Sequence, residues 1–114
     1  MSGTSYAPSK GDIIWIDLDP RTGHEQSGRR PAIVLSEKLL YTQTGFAIIC
    51  PITSKIKGLL LEIELNGTKT KGVILPMHVR SVDLSARHIK FIESAPTRIV
   101  DSTISHILTL IGAG

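Results

Sequence analysis

The stretch DPRTGHEQSGRRP, residues 19–31, concentrates the side chains of this sequence that could do chemistry. It holds two carboxylates, three arginines, one histidine, one glutamine and two hydroxyl groups. A second polar stretch, PITSKIKG at 51–58, follows an apolar run. In a small β structure, loops after neighbouring strands can meet at one rim. We then expect one surface to carry Glu25, Arg29, Arg30, Thr53, Ser54 and Lys55.

Such a surface suits a phosphodiester. Two guanidinium groups can grip phosphate oxygens through paired hydrogen bonds, and Thr53 or Ser54 can add a neutral donor. Glu25 can accept a proton. If the ligand is RNA, its own 2′-OH can attack the neighbouring phosphorus, so the protein needs neither a nucleophile nor a metal. It needs to accept a proton and to stabilise developing charge.

Other chemistries have weaker support. The four histidines, at 24, 78, 88 and 106, show no close ligand pairing, and CxxC and HExxH are absent from the sequence. No Gly-rich strand-to-helix loop offers a nucleotide cradle, so we predict no metal and no cofactor. Cys50, the single cysteine, lies in the apolar run GFAIICPI and is expected to be a buried thiol in a reducing cytosol.

Composition indicates one globular domain, residues 1–114, with 1–9 expected to be flexible. Hydrophobic residues make up 41% and charged residues 20% of the chain. The net charge is +3, and residues 53–90 carry the excess, which favours a polyanionic partner. No apolar run approaches the ~20 residues that span a bilayer, and the first residues lack an apolar signal-peptide core. We therefore predict a cytoplasmic protein without a membrane partner.

Short runs rich in Ile and Val predict strands. After SAPT the period changes to that of an amphipathic helix, with Pro96 in its first turn and Gly112 at its end. We predict a mainly β, α+β fold, a curved antiparallel sheet or partial barrel covered by a C-terminal helix. The predicted strands are 12–18, 31–35, 46–52, 59–65, 72–75 and 88–93, and the helix stripe is Val100, Ile104, Ile107, Leu108 and Ile111.

The segment KGDIIWIDLDPRTGHEQSGRRPAIVLS resembles the N-terminal signature of the MazF/PemK toxin endoribonucleases, with its G-x-E-Q-x-G-x-R-P loop. The resemblance continues through CPITSK, GVILPMHVRSVDLSAR and LTLIG, from Lys10 to Gly112. It implies an SH3-like barrel and a metal-independent, sequence-specific endoribonuclease that cuts single-stranded mRNA. It also implies a homodimer, neutralised by a cognate antitoxin with an acidic C-terminal segment, in a type II toxin–antitoxin system.

The resemblance also implies roles for individual residues. Arg30 and Thr53 match the transition-state stabilisers; Arg30 keeps its proton because the pKa of arginine exceeds ~12. Glu25 is the favoured general base because a carboxylate is ionised at pH 7, and His24 is the alternative. The expected RNA contacts are His24, Gln26, Ser27, Arg29, Ser54, Lys55, Met77, His78, Arg80 and Arg87.

The sequence departs from the family after the fifth strand. Many members have Asp-Gln there, whereas this chain has Met77 and His78, which excludes an Asp base at that position. The change bears on cut-site preference, since the segment borders the RNA groove. Met77 is a candidate to stack on a base and His78 to donate to one, with ordinary packing of Met77 as the alternative.

Two other functions fit the same architecture. One is a non-enzymatic toxin that inhibits a protein such as a topoisomerase, but a pure binder has no need of Glu25, Arg30 and Thr53 together. The other is an RNA-binding barrel. Such modules usually expose several aromatic residues, and this chain has one Trp, two Tyr and two Phe, with Trp15 in an apolar strand. If the protein is instead a ribonuclease that uses the 2′-OH as nucleophile, we expect a DNA version of its substrate to bind without being cut.

Overall fold

The computed structural model describes residues 6–17, 29–58 and 61–113. Seven strands and two helices are present in these ranges, with 3₁₀ turns at Pro76–His78 and Leu84–Ala86. Along the chain they are β1 (Asp12–Asp17), β2 (Arg29–Val34), α1 (Lys38–Thr44), β3 (Phe46–Thr53), β4 (Ile63–Glu64), β5 (Val73–Ile74), β6 (Arg80–Asp83), β7 (Ile89–Ser94) and α2 (Thr97–Ile111).

The strands form one antiparallel sheet in the order β4-β5-β3-β2-β1-β7. β3 has two partners along one edge: its first half pairs with β6, and Ile52 and Thr53 pair with Ile74 and Val73 of β5. The sheet and the C-terminal helix confirm the predicted α+β class. The pairing of β3 with β2 ends at Pro51, whereas its pairing with β5 continues to Thr53, so β5 fixes the polar exit of β3.

Hydrophobic clusters lie on both faces of the sheet, so β1 buries successive isoleucines. Ile13 belongs to the cluster beneath α2, and Ile14 and Ile16 belong to the cluster on the other face. Opposite orientation of neighbouring strand residues explains this division. Burial on both faces also explains why β1 has an almost continuous apolar run rather than a strict alternation.

Helix α2 packs through Ile99 and Val100 at its start, and Ile104 and Ile107 are partly buried against the same cluster. The predicted apolar stripe is wrong at its end: Leu108 is 44% exposed and Ile111 is 71% exposed. The helix continues beyond its contact with the sheet and ends at Gly112, which has the left-handed conformation expected of a helix-ending glycine.

Three further details differ from the sequence-based expectation. Helix α1 was not predicted; none of its residues is buried, so it lacks the apolar stripe that marks a helix. β6 was not predicted either, because only Val82 among its residues is buried and its pairing with β3 supplies its order. β4 has two residues rather than the seven of 59–65, and residues 59–60 lie outside the described ranges.

The N-terminal stretch expected to be flexible divides into two parts. Residues 1–5 lie outside the described ranges, whereas Pro8 is buried and the Tyr6 hydroxyl donates to the Asp12 carboxylate. Cys50 is fully buried, as predicted, and this burial raises the pKa of its thiol to about 12. Within the described residues, no helix has the length and apolar character needed to cross a membrane.

Candidate nucleic-acid interface

Two cavities lie on either side of the β3 exit. The larger, about 480 Å³, is called here the basic groove; four of its lining residues are Lys or Arg and none is Asp or Glu. The smaller, about 270 Å³, is called the exit pocket. The basic groove is lined by Trp15, Arg29, Arg30, Pro31, Ile52, Ser54, Lys69, Thr70, Lys71 and Ile92. The exit pocket is lined by Thr53, Lys55, Lys57, Glu62, Leu75, Met77 and His78.

Strand pairing places the two arginines at the groove. In the β1–β2 register, Arg29 pairs with Asp17 and Arg30 with Ile16. Trp15 pairs with Pro31 and is therefore diagonal to Arg29, whose Cζ lies 5.8 Å from the Trp15 ring centroid. This is a cation–π distance, and such contacts are worth about 0.5–1 kcal/mol at exposed sites. Among the described residues, no carboxylate lies within 4 Å of either guanidinium.

Trp15 is more exposed than its place in an apolar strand indicates. It is 39% exposed, although Ile14 and Ile16 on either side are fully buried. The chain has few aromatic residues, but Trp15 lies in the groove beside an arginine. An exposed indole next to cations can stack a nucleic-acid base.

The β3 exit divides the predicted catalytic side chains between the cavities. Arg30 and Ser54 line the basic groove, whereas Thr53 lines the exit pocket. Thr53 and Ser54 are consecutive, so the two cavities adjoin at this point. The Thr53 hydroxyl oxygen accepts a hydrogen bond from the Lys55 backbone N–H at 3.1 Å, which leaves the Thr53 hydroxyl hydrogen available to donate.

The exit pocket also contains Met77 and His78, the pair at the position where the resemblance implies Asp-Gln. Met77 and His78 are exposed on the 3₁₀ turn after Leu75, and Met77, at 46% exposure, is not a core residue. Glu62 also lines this pocket, and its carboxylate accepts hydrogen bonds from the Lys57 and Gly58 N–H groups at 3.1 and 3.0 Å.

The remaining predicted contacts lie elsewhere or outside the described ranges. Arg87 donates through Nη1 to the Asp17 backbone carbonyl at the end of β1, so part of its guanidinium has a structural contact. Arg80 is exposed on β6 opposite Ile49 and lines neither cavity. The predicted base and its neighbours, which are His24, Glu25, Gln26 and Ser27, fall in the undescribed segment 18–28.

In residues 6–17, 29–58 and 61–113, no group of three His, Cys, Asp or Glu could hold a metal ion.

The turn at 67–71 is held by Glu93, a residue that the sequence alone did not indicate. Glu93 on β7 accepts hydrogen bonds from the Lys69 N–H at 3.0 Å, from the Thr70 N–H at 2.7 Å and from the Thr70 hydroxyl at 2.8 Å. β7 and β4 are the two ends of the sheet, so this carboxylate joins regions that the strand pairing leaves apart. The basic excess of 53–90 was a signal for the lysines, but no local pattern indicates a contact 23 residues away.

The contacts of Glu93 determine its ionisation. Partial burial acts to raise its pKa, but the N–H donors of Lys69 and Thr70, the Thr70 hydroxyl and the Lys69 charge outweigh it. The net effect lowers the pKa of Glu93 below its ordinary value. A carboxylate that is ionised more easily in the folded state stabilises that state above its unfolded pKa, and the stabilisation is lost as pH falls through the folded pKa.

Replacing Glu93 with Gln therefore tests the link between β7 and the turn. We expect Glu93→Gln to lower the free energy of unfolding at pH 7 by about 1 kcal/mol, since an amide cannot accept all three bonds and the site is partly exposed. Below about pH 4.3, the ordinary pKa of glutamate, the difference between variant and wild type should shrink. Urea unfolding at several pH values measures it, and a difference independent of pH would contradict this account.

The fold and site define an α+β protein with a small antiparallel sheet, whose groove carries four Lys or Arg residues and an exposed indole, with no Asp or Glu among its described lining residues, and such a groove suits a polyanionic ligand. The family is shown by sequence: the chain belongs to the family described as the PemK-like, MazF-like toxin of type II toxin-antitoxin system, whose sequence model matches residues 9–111. This confirms the resemblance found in the loop signature.

Individual relatives agree with the family. The chain is 43% identical to the endoribonuclease toxin MazF of Escherichia coli K12, over 72% of this chain and 74% of that protein. It is 32% identical to the endoribonuclease toxin ChpB of the same strain, over 90% and 92%. The crystal structure of a MazE-MazF complex from Deinococcus radiodurans superposes with a TM-score of 0.88 at 35% identity, covering 96% of this chain and 100% of that one.

Proposed function

We propose that this chain is the toxin of a type II toxin–antitoxin system and acts as a metal-independent endoribonuclease on single-stranded mRNA. The observation that supports it best is the basic groove, where Arg29, Arg30, Lys69 and Lys71 converge beside the hydroxyls at the β3 exit. The relatives named as endoribonucleases support the same activity. They do not favour the alternative of a non-enzymatic toxin directed at a protein such as a topoisomerase.

The reaction is an attack by the ribose 2′-oxygen on the adjacent phosphorus. The 2′-proton passes to Glu25, with His24 as the alternative base, and the bond to the 5′-oxygen breaks. That oxygen takes a proton from a water molecule, which recovers one from the protonated base, and the products are a 2′,3′-cyclic phosphate and a 5′-hydroxyl end. Arg30 neutralises the charge that develops on the phosphoryl oxygens, and the Thr53 hydroxyl donates to one of them. Each such donor is worth about 10²–10³ in rate.

Sequence selection belongs to the surfaces around the phosphate. Ser54 and Lys55 continue from Thr53, and Met77 and His78 line the neighbouring exit pocket. A thioether can contact a base face, and an imidazole can donate to or accept from a base edge. Because this pair differs from the family Asp-Gln, the cut site should differ from that of members with the acidic residue.

The partners follow from the same groove. We infer that a cognate antitoxin neutralises the toxin with an acidic C-terminal segment, since carboxylates can replace RNA phosphates on a cationic surface. The Deinococcus radiodurans complex shows a MazF with a MazE. We also infer a homodimer in the cytoplasm.

The direct test is cleavage by the purified protein in the presence of EDTA. We expect a single-stranded RNA to be cut at one recurring motif, read by mapping the 5′ ends of the fragments. A DNA copy of the same sequence should bind without being cut, because it lacks the attacking 2′-OH. Loss of cleavage in EDTA would overturn the metal-independent mechanism, and cutting of the DNA copy would overturn 2′-OH attack.

A further inference from the structure

The turn at residues 67–71 is a second cationic wall of the basic groove. Lys69 and Lys71 line the groove together with Arg29 and Arg30 of β2. The Lys71 ammonium donates to the Thr68 carbonyl at 3.3 Å, a neutral partner, and no carboxylate among the described residues forms an ion pair with it. Trp15 lines the same groove. The groove therefore combines cations from β2, cations from the turn and one exposed aromatic ring.

The backbone of this wall is held in place. Thr68 is buried, and its hydroxyl donates to the Thr70 carbonyl at 2.7 Å. Glu93 binds the N–H groups of Lys69 and Thr70 from the other end of the sheet. The lysine side chains are exposed, while hydrogen bonds hold the backbone that carries them. Binding a ligand therefore costs little conformational entropy of this backbone.

We propose that Lys69 and Lys71 each bind one of the backbone phosphates that flank the cleaved phosphate of the RNA, and that Glu93 positions their turn. The proposal rests on the proposed function. A single strand can stack a base on Trp15 and direct its phosphates to cations on both sides. The exposed indole favours a nucleic acid, because every nucleotide carries a base that can stack on it, whereas the side chains of Asp and Glu have no ring. Phosphate contacts of this kind supply affinity independent of sequence.

The test uses a single-stranded DNA oligonucleotide, which the proposed mechanism cannot cut. Trp15 is the only tryptophan of the chain, so its fluorescence reports occupancy of the groove. We expect Lys69→Ala/Lys71→Ala to reduce the slope of log K against log salt concentration by about 1.4, at about 0.7 per phosphate contact. If the curves converge at 1 M salt, this slope corresponds to about 25-fold weaker binding at 0.1 M.

A matched control removes two positive charges elsewhere. Lys10 and Lys38 line no part of the basic groove, and Lys10 already pairs with Glu37 at 3.7 Å. Lys10→Ala/Lys38→Ala should leave the slope nearly unchanged. An equal loss of slope in both double variants would show a general charge effect and overturn the proposal. An unchanged slope in Lys69→Ala/Lys71→Ala would also overturn the proposal. If that variant in addition bound a polyglutamate peptide more weakly, the two lysines would be assigned to an acidic peptide instead.

Glu93→Gln gives a test of opposite sign. Removing a negative charge next to the groove should strengthen DNA binding if only electrostatics matter, whereas loss of the positioning contact should weaken it. We expect weaker binding, and stronger binding would overturn the role of Glu93. On RNA, Lys69→Ala/Lys71→Ala should raise KM, as expected for lost uniform binding. If the wild-type protein binds DNA but cuts no RNA, the proposed function is wrong, and the slopes measured with DNA still support or overturn the phosphate contacts of Lys69 and Lys71.

Discussion

Arg30→Ala is expected to lower kcat/KM for RNA cleavage by about 10²–10³-fold or more, with the fold retained. Arg30 is exposed at the start of β2, and its backbone pairing with Ile16 does not depend on its side chain. Within the described part of the chain, its guanidinium makes no hydrogen bond or ion pair. Truncation should therefore change the free energy of unfolding by less than about 0.5 kcal/mol, as at ordinary surface positions.

Two variants serve as controls for Arg30→Ala. Arg98→Ala removes an exposed arginine from α2 that donates to the Asn66 carbonyl at 3.1 Å, outside the groove, and should leave cleavage nearly unchanged. Arg30→Lys keeps the charge but loses the planar, two-pronged donor geometry, so its activity should fall between alanine and wild type. Circular dichroism and thermal unfolding verify the fold. An Arg30→Ala protein that cleaves at the wild-type rate would remove Arg30 from the mechanism.

Much of the fold could be predicted because the main strands have their own apolar signal. Residues 12–17, 46–53 and 89–94 are strands close to the predicted bounds, and α2 begins after Pro96 as expected. β6 and α1 have no comparable signal, since one depends on pairing with β3 and the other buries none of its residues. The exposed end of α2 shows the same limit, because helical spacing does not say how far the partner surface extends.

The residues of the candidate site also fall into two groups: those that the sequence indicated and those that only the structure places there. Arg29, Arg30, Ser54 and Lys55 were found because each lies in a polar stretch adjoining an apolar strand. Trp15 was missed as a groove residue because its neighbours in sequence are buried, and only the register with Pro31 places it on the groove. Glu93 was missed because its contacts are with residues 23 and 24 positions away. Such a contact depends on the curvature of the whole sheet, which no short pattern specifies.

Gly72 connects the fold to the chemistry, since it lies against the backbone of Thr53. Its φ is +126°, and a Cβ added there would lie 2.3 Å from the Thr53 carbonyl oxygen and 2.9 Å from the Thr53 carbonyl carbon. Those atoms belong to a strand paired with Val73, so they cannot move without disturbing the β3 exit. We expect Gly72→Ala to lower the free energy of unfolding by about 2–5 kcal/mol, from positive-φ strain together with overpacking.

Gly58→Ala separates these two contributions. Gly58 has a φ of +70°, and an added Cβ would meet nothing within 4 Å, so only the conformational cost of about 1 kcal/mol applies. Urea unfolding should show the larger loss in Gly72→Ala. Under conditions where both variants remain folded, Gly72→Ala should also cleave RNA more slowly, because relief of the clash displaces Thr53 from the phosphate. Equal stability losses would show that the contact with Thr53 is relieved without cost, and equal cleavage would separate the position of Thr53 from catalysis.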